Sequence, residues 1–279
     1  MRTTRVNSAG RSDRGRRAWD KWTKTKVLEG DHLLRRHLPV TRVMTKRSLE
    51  KMLEMYKMVY VKPINGAQGR GVMKVEKISY KRGGVNKQAY VYQLNEKRLS
   101  FTTYESAYRS IVKDTKGEVY IVQKGIRLLK HNRRPFDIRL VVQRSPHGGW
   151  EATGTVGRAA HPRKIVTNGS QGGTIYPTAY LLKHYTTAAK RKQMLGEMDR
   201  LGVHTAKRLH RAYPVIKEIG VDLAIDSSLK PWILEVNTIP DPCPFALLPD
   251  QSMLRKIIRY GKAYGKTYRL VCKKAKRGL

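Results

Sequence analysis

The chain has 279 residues, of which 58 are lysine or arginine and 21 are aspartate or glutamate, so its formal net charge is +37. Hydrophobic residues make up 40% of it, which is enough apolar material for a folded core and excludes wholesale disorder. No apolar run approaches the roughly 18 residues of a membrane span, and the basic start has no apolar stretch behind it, which excludes a secretory signal. The charge favours an anionic partner, and a solvated basic surface explains it equally well.

Basic residues are dense at both ends of the chain. Residues 1–18 and 271–279 are each predicted to form a mobile basic tail. The two cysteines, Cys243 and Cys272, form neither a CxxC pair nor a zinc-binding spacing, so we expect no disulfide scaffold and a reducing compartment. The chain has no helix-turn-helix, zinc-finger or RNP-type pattern, which weakens a sequence-specific nucleic-acid function.

The hydrophobic pattern predicts a mixed succession of helices and strands. It predicts two short helices over 19–38, separated near Gly30 and Asp31, and further helices over 46–57, 104–113, 186–211 and 251–264. It predicts strands over 58–61, 72–78, 89–94, 119–123, 136–143, 151–158, 218–225 and 231–236. Residues 161–177 form a predicted long loop, and a long loop inside a compact domain is more often functional than idle.

A glycine-rich loop follows the strand that begins at residue 58. Lys62 ends that strand, and Gly66, Gly69 and Gly71 occur before the next strand begins. Glycines let backbone N–H groups approach phosphate oxygens, and a nearby lysine adds a positive charge to the same site. This is neither a Walker A nor a Rossmann loop, because a strand rather than a helix follows it. An ordinary glycine hairpin is the alternative.

Two carboxylates and an amide occur in the last pair of predicted strands. Asp222 lies in one strand, and Glu235 and Asn237 project from one face of the next. A hairpin brings Asp222 beside Glu235, and such oxygen ligands suit Mg²⁺ together with phosphate oxygens. A polar strand edge with solvated acids is the alternative, and it fits poorly because apolar residues flank these positions. The pattern therefore predicts a metal site.

Together, these motifs resemble the ATP-grasp superfamily over residues 19–270. The segments QKGI, DIR and LEVNTIPD are most similar to its spore-coat-associated YheC/YheD branch. The resemblance implies an α+β (α/β) ATP-grasp fold in which two α+β lobes enclose ATP, here without a complete N-terminal preATP domain. We place the N-terminal lobe at residues 19–123 and the C-terminal lobe at 124–270. A cytoplasmic location is expected, and in a spore former the mother cell or the spore coat.

The resemblance also implies roles for individual residues, with ATP and two Mg²⁺ ions as cofactors. Asp222, Glu235 and Asn237 are the expected metal ligands. Lys62, Arg139 and Arg158 are the expected catalytic residues, with Asp137 or a substrate carboxylate as the partner of Arg139 and a solvated surface position as the alternative for Arg158. His161 is expected to be a surface residue. The residues expected to contact the nucleotide are Lys21, Lys62, Gln68, Gly69, Gly71, Gln123, Lys124, Ile126 and Asn168.

The implied chemistry is ATP-dependent ligation of a carboxylate to an amine through an acyl phosphate. The expected substrate is a peptide, a protein or an acidic polymer, in spore coat formation. Two alternatives remain open: a catalytically weak ATP-grasp scaffold or structural coat component, and an ATP-switched protein associated with nucleic acid. The presence of Lys62, Asp222, Glu235 and Asn237 argues for nucleotide binding but does not separate an enzyme from a switch. The sequence specifies neither the two substrates nor the oligomeric state.

Overall fold

The computed structural model describes residues 20–279, which form two β-sheets with helices packed against them. The predicted N-terminal tail, residues 1–18, lies outside the described residues. The helices are α1 (Lys21–Glu29), α2 (His32–Arg35), α3 (Lys46–Tyr56), α4 (Tyr104–Thr115), α5 (Thr178–Leu182), α6 (Ala188–Ala212) and α7 (Ser252–Ala263). The strands are β1 (Thr41–Val43), β2 (Met58–Pro63), β3 (Met73–Arg82), β4 (Val85–Leu94), β5 (Lys97–Phe101), β6 (Tyr120–Lys124), β7 (Lys130–His131), β8 (Arg134–Arg144), β9 (Trp150–Ala159), β10 (Thr174–Tyr176), β11 (Glu218–Ile225), β12 (Pro231–Asn237) and β13 (Lys276–Arg277).

The predicted helices and strands are present close to their expected bounds. The sequence missed short elements, namely β1, β5, β7, β10, β13 and α5. The hairpin between β3 and β4 is tighter than predicted, because both strands continue to the pair Gly83 and Gly84, which have positive φ angles. Within residues 20–279, no helix combines the length and apolar character that a membrane crossing requires.

The first sheet is antiparallel and has the strand order β1-β6-β2-β3-β4-β5. Helix α3 packs on it and begins at a capping box, in which the Thr45 hydroxyl accepts from the Ser48 N–H and the Ser48 hydroxyl accepts from the Thr45 N–H. The helix buries Leu49 and Leu53 in the same core as Val61 of β2. The apolar face of this helix is therefore the face that packs on the sheet.

The second sheet has the strand order β12-β11-β8-β9-β10-β13, and β7 pairs with β8. Both of its faces are covered: Leu140 of β8 belongs to the core under α6, and the next residue, Val141, to the core under α7. Helix α6 approaches closely at Gly202, where a Cβ atom would lie 2.3 Å from the Leu140 side chain. Leu28 of α1 and Leu34 of α2 also belong to the α6-side core. Hence these two helices, which we had assigned to the N-terminal lobe, pack on the second sheet.

The C-terminal segment differs from the predicted mobile tail. Lys276 and Arg277 form β13, which pairs in parallel with Thr174 and Ile175 of β10. Cys272 and Cys243 form a disulfide across 29 residues, with Cα atoms 5.6 Å apart. We had expected no disulfide scaffold, and the sequence did not indicate this single bond, because a spacing of this length carries no information on distance in the folded chain.

Candidate active site

The predicted site residues converge on a cleft between the two sheets. One cavity in this cleft is lined by Lys62, Gly69, Gln123, Lys124, Ile126, Asn168, Asp222 and Glu235. An adjoining cavity of about 410 Å³ is lined by Gln68, Arg139, Arg158 and Asn237, and it shares Asn168, Asp222 and Glu235 with the first. Lys21 lies beside Lys62 and Glu235 in a third space. Gly71 lines none of these three spaces, although it belongs to the adjacent glycine-rich loop.

Three buried lysines lie on one side of the cleft, and we call Lys21, Lys24 and Lys62 the lysine cluster. Their nearest hydrogen-bond acceptors are uncharged: Lys62 Nζ donates to Gln123 Oε1 at 2.6 Å, Lys24 Nζ to the carbonyl of residue 236 at 2.6 Å, and Lys21 Nζ to the carbonyl of residue 66 at 2.7 Å. The Glu235 carboxylate lies 3.8 Å from Lys21 Nζ. Burial lowers the pKa of Lys62 to about 8 and also lowers the pKa of Lys24.

Lys24 is a site residue that the sequence analysis missed. It lies three positions after Lys21 in α1, so both lysines project from the same face of the helix. That spacing was the available signal. Asp20 caps this helix, because its side chain accepts a hydrogen bond from the Thr23 N–H in the first turn.

The glycine-rich loop packs against the long loop over 161–177. At Gly69, where φ is +70°, a Cβ atom would lie 2.8 Å from Asn168 Oδ1, so only glycine permits this approach. Gln171 Nε2 donates to the Gln68 carbonyl at 3.2 Å and links the same two loops. Gly71 likewise faces the Tyr120 hydroxyl, 2.9 Å from an ideal Cβ. The two loops together cover the cleft.

Gln123 and Lys124 are the last residues of β6, and Ile126 follows in the segment that connects the two sheets. The Gln123 side chain is engaged by the lysine cluster, since Oε1 accepts from Lys62. The Lys124 and Gly125 N–H groups donate to the carbonyls of residues 40 and 58, so neither is free for a ligand. Ile126 is buried and, with Tyr60 and Leu128, forms an apolar part of the cavity wall. An apolar wall of this kind can pack against the flat face of a purine. The Gln123 side chain is less suited to bind a base, because its oxygen already accepts from Lys62.

Two arginines and two aspartates form a buried network on the opposite side, and we call Asp137, Arg139, Arg158 and Asp222 the arginine–aspartate network. Arg139 donates from Nε to Asp222 Oδ1 at 2.5 Å and from a terminal nitrogen to Oδ2 at 3.2 Å. Arg158 donates to both oxygens of Asp137, at 2.8 and 2.5 Å, and lies 3.0 Å from Asp222 Oδ2. Arg158 is 3% exposed, which excludes the solvated alternative.

The partners within this network follow the strand register. Asp222 of β11 lies directly opposite Arg139 of β8, and Asp137 lies directly opposite Arg158 of β9. Of the two predicted partners of Arg139, Asp137 is therefore wrong, and a substrate carboxylate stays a prediction. Residues directly opposite on neighbouring strands are nearer than residues two apart on one strand.

The opposite charges in the arginine–aspartate network stabilise one another. Burial opposes ionisation of Asp222, but Arg139 and Arg158 overcome it and keep the pKa of the carboxyl well below its usual range. Burial likewise opposes the Arg158 charge, and Asp137 and Asp222 raise the pKa of that guanidinium above its usual value. Two cations face two anions, so the network is balanced without a ligand.

The predicted metal ligands lie together at the edge of the network. Asp222 and Glu235 are directly opposite on β11 and β12, and Asn237 lines the same cavity. The Asn237 amide nitrogen is buried and makes no hydrogen bond; as a donor it suits a phosphate or water oxygen, and only the amide oxygen could ligate a metal ion. Residues 20–279 contain no group of three or more His, Cys, Asp or Glu residues arranged to hold a metal. Two carboxylates and one amide oxygen would hold Mg²⁺ only together with ligands from phosphate and water.

His161 is half-buried and does not line the cleft cavities. Its ring packs on Gly172, at 3.4 Å from an ideal Cβ atom, and its Nδ1 accepts from the Arg163 N–H at 3.4 Å. These contacts give it a role in shaping the long loop.

Comparisons with known proteins support one family. The family model described as YheC/D-like ATP-grasp matches residues 15–267. The endospore coat-associated protein YheD of Bacillus subtilis (strain 168) is 25% identical over 228 residues, which are 80% of this chain and 48% of that protein. The endospore coat-associated protein YheC of the same organism is 24% identical over 230 residues, which are 81% of this chain and 61% of that protein. The chain thus spans about half to three fifths of these relatives.

Solved structures show a likeness of fold. The D-cycloserine synthetase DcsG aligns with a TM-score of 0.53 and 12% identity, over 89% of this chain and 71% of that one. The biotin carboxylase domain of Hydrogenobacter thermophilus 2-oxoglutarate carboxylase, solved with MgADP and bicarbonate, aligns with a TM-score of 0.51 and 14% identity, over 90% of this chain and 46% of that one.

Proposed function

Because the chain belongs to the YheC/D-like ATP-grasp family, we propose that it is an ATP-dependent ligase that binds Mg-ATP between its two sheets. The family and the α+β ATP-grasp fold confirm what the sequence predicted. One observation carries the proposal: Lys62 beside the glycine-rich loop and the pair Asp222 and Glu235 line a single cavity.

The lysine cluster is suited to hold the triphosphate. Lys21, Lys24 and Lys62 have their short hydrogen bonds to uncharged oxygens, so their charges attract an anion. The loop over 66–71 would close on the same phosphates, with Gln68, Gly69 and Gly71 in it and Asn168 above. The base would lie against Ile126, near Lys124 and Gln123. Mg²⁺, when bound by Asp222, Glu235 and Asn237, would neutralise charge on the phosphate oxygens.

In the proposed reaction, a substrate carboxylate attacks the γ-phosphorus, forms an acyl phosphate and releases ADP. An amine then attacks the acyl carbon, loses a proton, forms an amide and releases inorganic phosphate. Lys62 stabilises charge on the transferred phosphoryl group, and Arg139 and Arg158 stabilise charge on the acyl-phosphate oxygens. Such catalysis depends on positioning and charge stabilisation more than on proton transfer.

The test of nucleotide binding is calorimetry with ATP and Mg²⁺, together with thermal unfolding. At a hundredfold excess over the dissociation constant, binding to the folded state stabilises it by about 2.7 kcal/mol. An absence of both heat and stabilisation at millimolar nucleotide would contradict the proposal. ADP release, screened against amino acids, peptides and polyanions, then tests ligation and identifies the substrates.

A second function, a nucleotide-binding scaffold with weak catalysis, is favoured by one observation. Asp222 already accepts hydrogen bonds from both Arg139 and Arg158, so it must share its oxygens with any metal ion. Nucleotide binding without ADP release in the presence of any acceptor would support the scaffold. We further propose that either function belongs to the formation or the structure of the spore coat, which the names of the two relatives, endospore coat-associated proteins, support.

A further inference from the structure

The C-terminal segment over 271–275 forms one wall of the cavity of about 410 Å³ beside Arg139 and Arg158. This wall is a feature that the sequence did not predict, because we expected a mobile tail. It lies where the reacting carboxylate would enter in the proposed ligase reaction. The wall residues are Val271, Cys272, Lys273, Lys274 and Ala275.

The segment is held on both sides of its two lysines. Before them, Cys272 is joined to Cys243. After them, the N–H of residue 276 donates to the carbonyl of residue 173 at 3.1 Å, and the N–H of residue 278 donates to the carbonyl of residue 175 at 2.9 Å. Ala275 also packs on Gly169, where an ideal Cβ would be 3.1 Å from the alanine methyl.

A buried glutamate fixes the chain just before this wall. Glu218 accepts hydrogen bonds from the hydroxyls of Tyr264 at 2.7 Å and Tyr268 at 2.5 Å, and from Lys266. Glu218 is 4% exposed, so these contacts anchor the segment to the interior of the second sheet. The wall is therefore pre-positioned, and a ligand that binds it does not have to order a free tail.

The rim of the cavity carries more positive than negative charge. Arg70, Lys273 and Lys274 are exposed there beside one exposed acid, Asp241, and none of the three cations forms an ion pair with an acid in the part of the chain that the structure describes. Deeper in the cavity, Arg139 and Arg158 are balanced by aspartates. A ligand that reaches from the deep arginines to the rim thus meets a second group of cations, which outnumbers the one acid beside it.

We propose that Lys273 and Lys274 bind a distal carboxylate of an acidic peptide whose reacting carboxylate lies at Arg139 and Arg158. This inference rests on the proposed ligase function and narrows its substrate class to peptides with at least two carboxylates. A peptide fits better than single-stranded nucleic acid, because none of the described residues lining the cavity is aromatic and such strands are bound by stacking on aromatic rings.

The experiment compares two double variants of equal charge, K273Q/K274Q in the wall and K81Q/K87Q in the exposed β3–β4 hairpin, outside the cleft cavities. Calorimetry with triglutamate, at low salt and with a non-hydrolysable ATP analogue and Mg²⁺, gives the peptide affinity. We expect K273Q/K274Q to weaken triglutamate binding about fivefold, since each partly exposed contact contributes modestly. K81Q/K87Q should change it little, and uncharged triglutamine should bind weakly to every variant.

Each other outcome has a definite meaning. Equal weakening in both double variants would overturn the assignment, because it would show attraction to net charge alone. Triglutamate that binds no better than triglutamine would overturn the substrate class. Tighter binding of oligouridylate than of triglutamate, lost in K273Q/K274Q, would replace the peptide by nucleic acid. A wild-type chain that binds triglutamate without the nucleotide and fails to bind the nucleotide would contradict the proposed ligase and leave the acidic-peptide site supported.

Discussion

The two charged sides of the cleft are built on opposite principles. In the arginine–aspartate network, each guanidinium faces a carboxylate on the neighbouring strand, and the charges cancel within the protein. In the lysine cluster, each ammonium group donates to an amide or carbonyl oxygen, and the positive charge is left without an equal counterion. Burial lowers the pKa of Lys62 and Lys24, whereas aspartates raise the pKa of Arg158.

This difference predicts how each side responds to the loss of one charged group. A balanced buried network resists loss of any member, because the group left behind is an uncompensated buried ion. A buried cation with neutral partners costs free energy in the empty protein, and an incoming anion removes that cost. We therefore expect substitutions in the arginine–aspartate network to lower mainly the free energy of unfolding. Substitutions in the lysine cluster should lower mainly the affinity for the ligand.

The largest effect is expected for Arg158→Ala. It leaves the buried Asp137 without its two hydrogen bonds and removes one partner of Asp222. We expect a loss of about 3–5 kcal/mol in the free energy of unfolding, measured by urea denaturation. Arg163→Ala is the matched control, because that arginine is exposed and pairs with Glu96 at 3.4 Å. Equal, small losses in both variants would show that the network contributes no more than a surface pair.

The second largest effect is expected for Glu235→Ala, which removes a carboxylate between the two sides of the cleft. Glu235→Ala should lower ADP release about 100-fold or more, because a lost metal ligand exposes phosphate charge in the transition state. The fold should stay nearly intact, since the Glu235 side chain is 24% exposed and its ion-pair contact with Lys21 is long, at 3.8 Å. Glu96→Ala, at an exposed ion pair, is the control. Unchanged ADP release would show that Glu235 is not a metal ligand.

Many residues on the two sides of the cleft could be predicted from local sequence patterns. Strand periodicity predicted that Lys62 ends a strand and that Glu235 and Asn237 project from one face, and the glycines marked the loop between two strands. The structure brings all of these features to one cleft. Helices and strands with clear periodicity were found for the same reason. Short elements such as β10 and β13 carry too few residues to show a period.

What escaped prediction depends on contacts between distant segments. The partner of Arg139 is set by the register between β8 and β11, which a single strand does not encode. The pairing of Cys243 with Cys272 and the docking of α1 on the second sheet depend on tertiary packing. The wall over 271–275 was predicted to be a mobile tail, because its basic composition is also typical of disordered tails.

Lys62 can be replaced by methionine, an apolar side chain of similar length. Lys62→Met should weaken Mg-ATP binding about tenfold, because one charge-assisted contact to phosphate is lost. In contrast to Arg158→Ala, it should not lower the free energy of unfolding, since the variant removes a desolvated charge whose partner Gln123 is neutral. Calorimetry gives the affinity and urea denaturation the stability, with Lys87→Met as the exposed control. A large loss of stability would contradict the distinction between the two sides.

The smallest expected effect is a pH dependence confined to the lysine side. Burial lowers the pKa of Lys62 to about 8, and phosphate binds its protonated form, so nucleotide binding raises that pKa and takes up a proton near pH 8. Affinity for Mg-ATP should therefore fall by about twofold between pH 7 and pH 8 and further above it. The Arg158 guanidinium, whose pKa the neighbouring aspartates raise, stays charged over this range and contributes nothing to the slope. Calorimetry in two buffers of different ionisation enthalpy measures the proton uptake directly, and Lys62→Met should abolish it. Uptake that persists in the variant would assign the titration to another group, of which Lys24, with its own lowered pKa, is the nearest in the cluster.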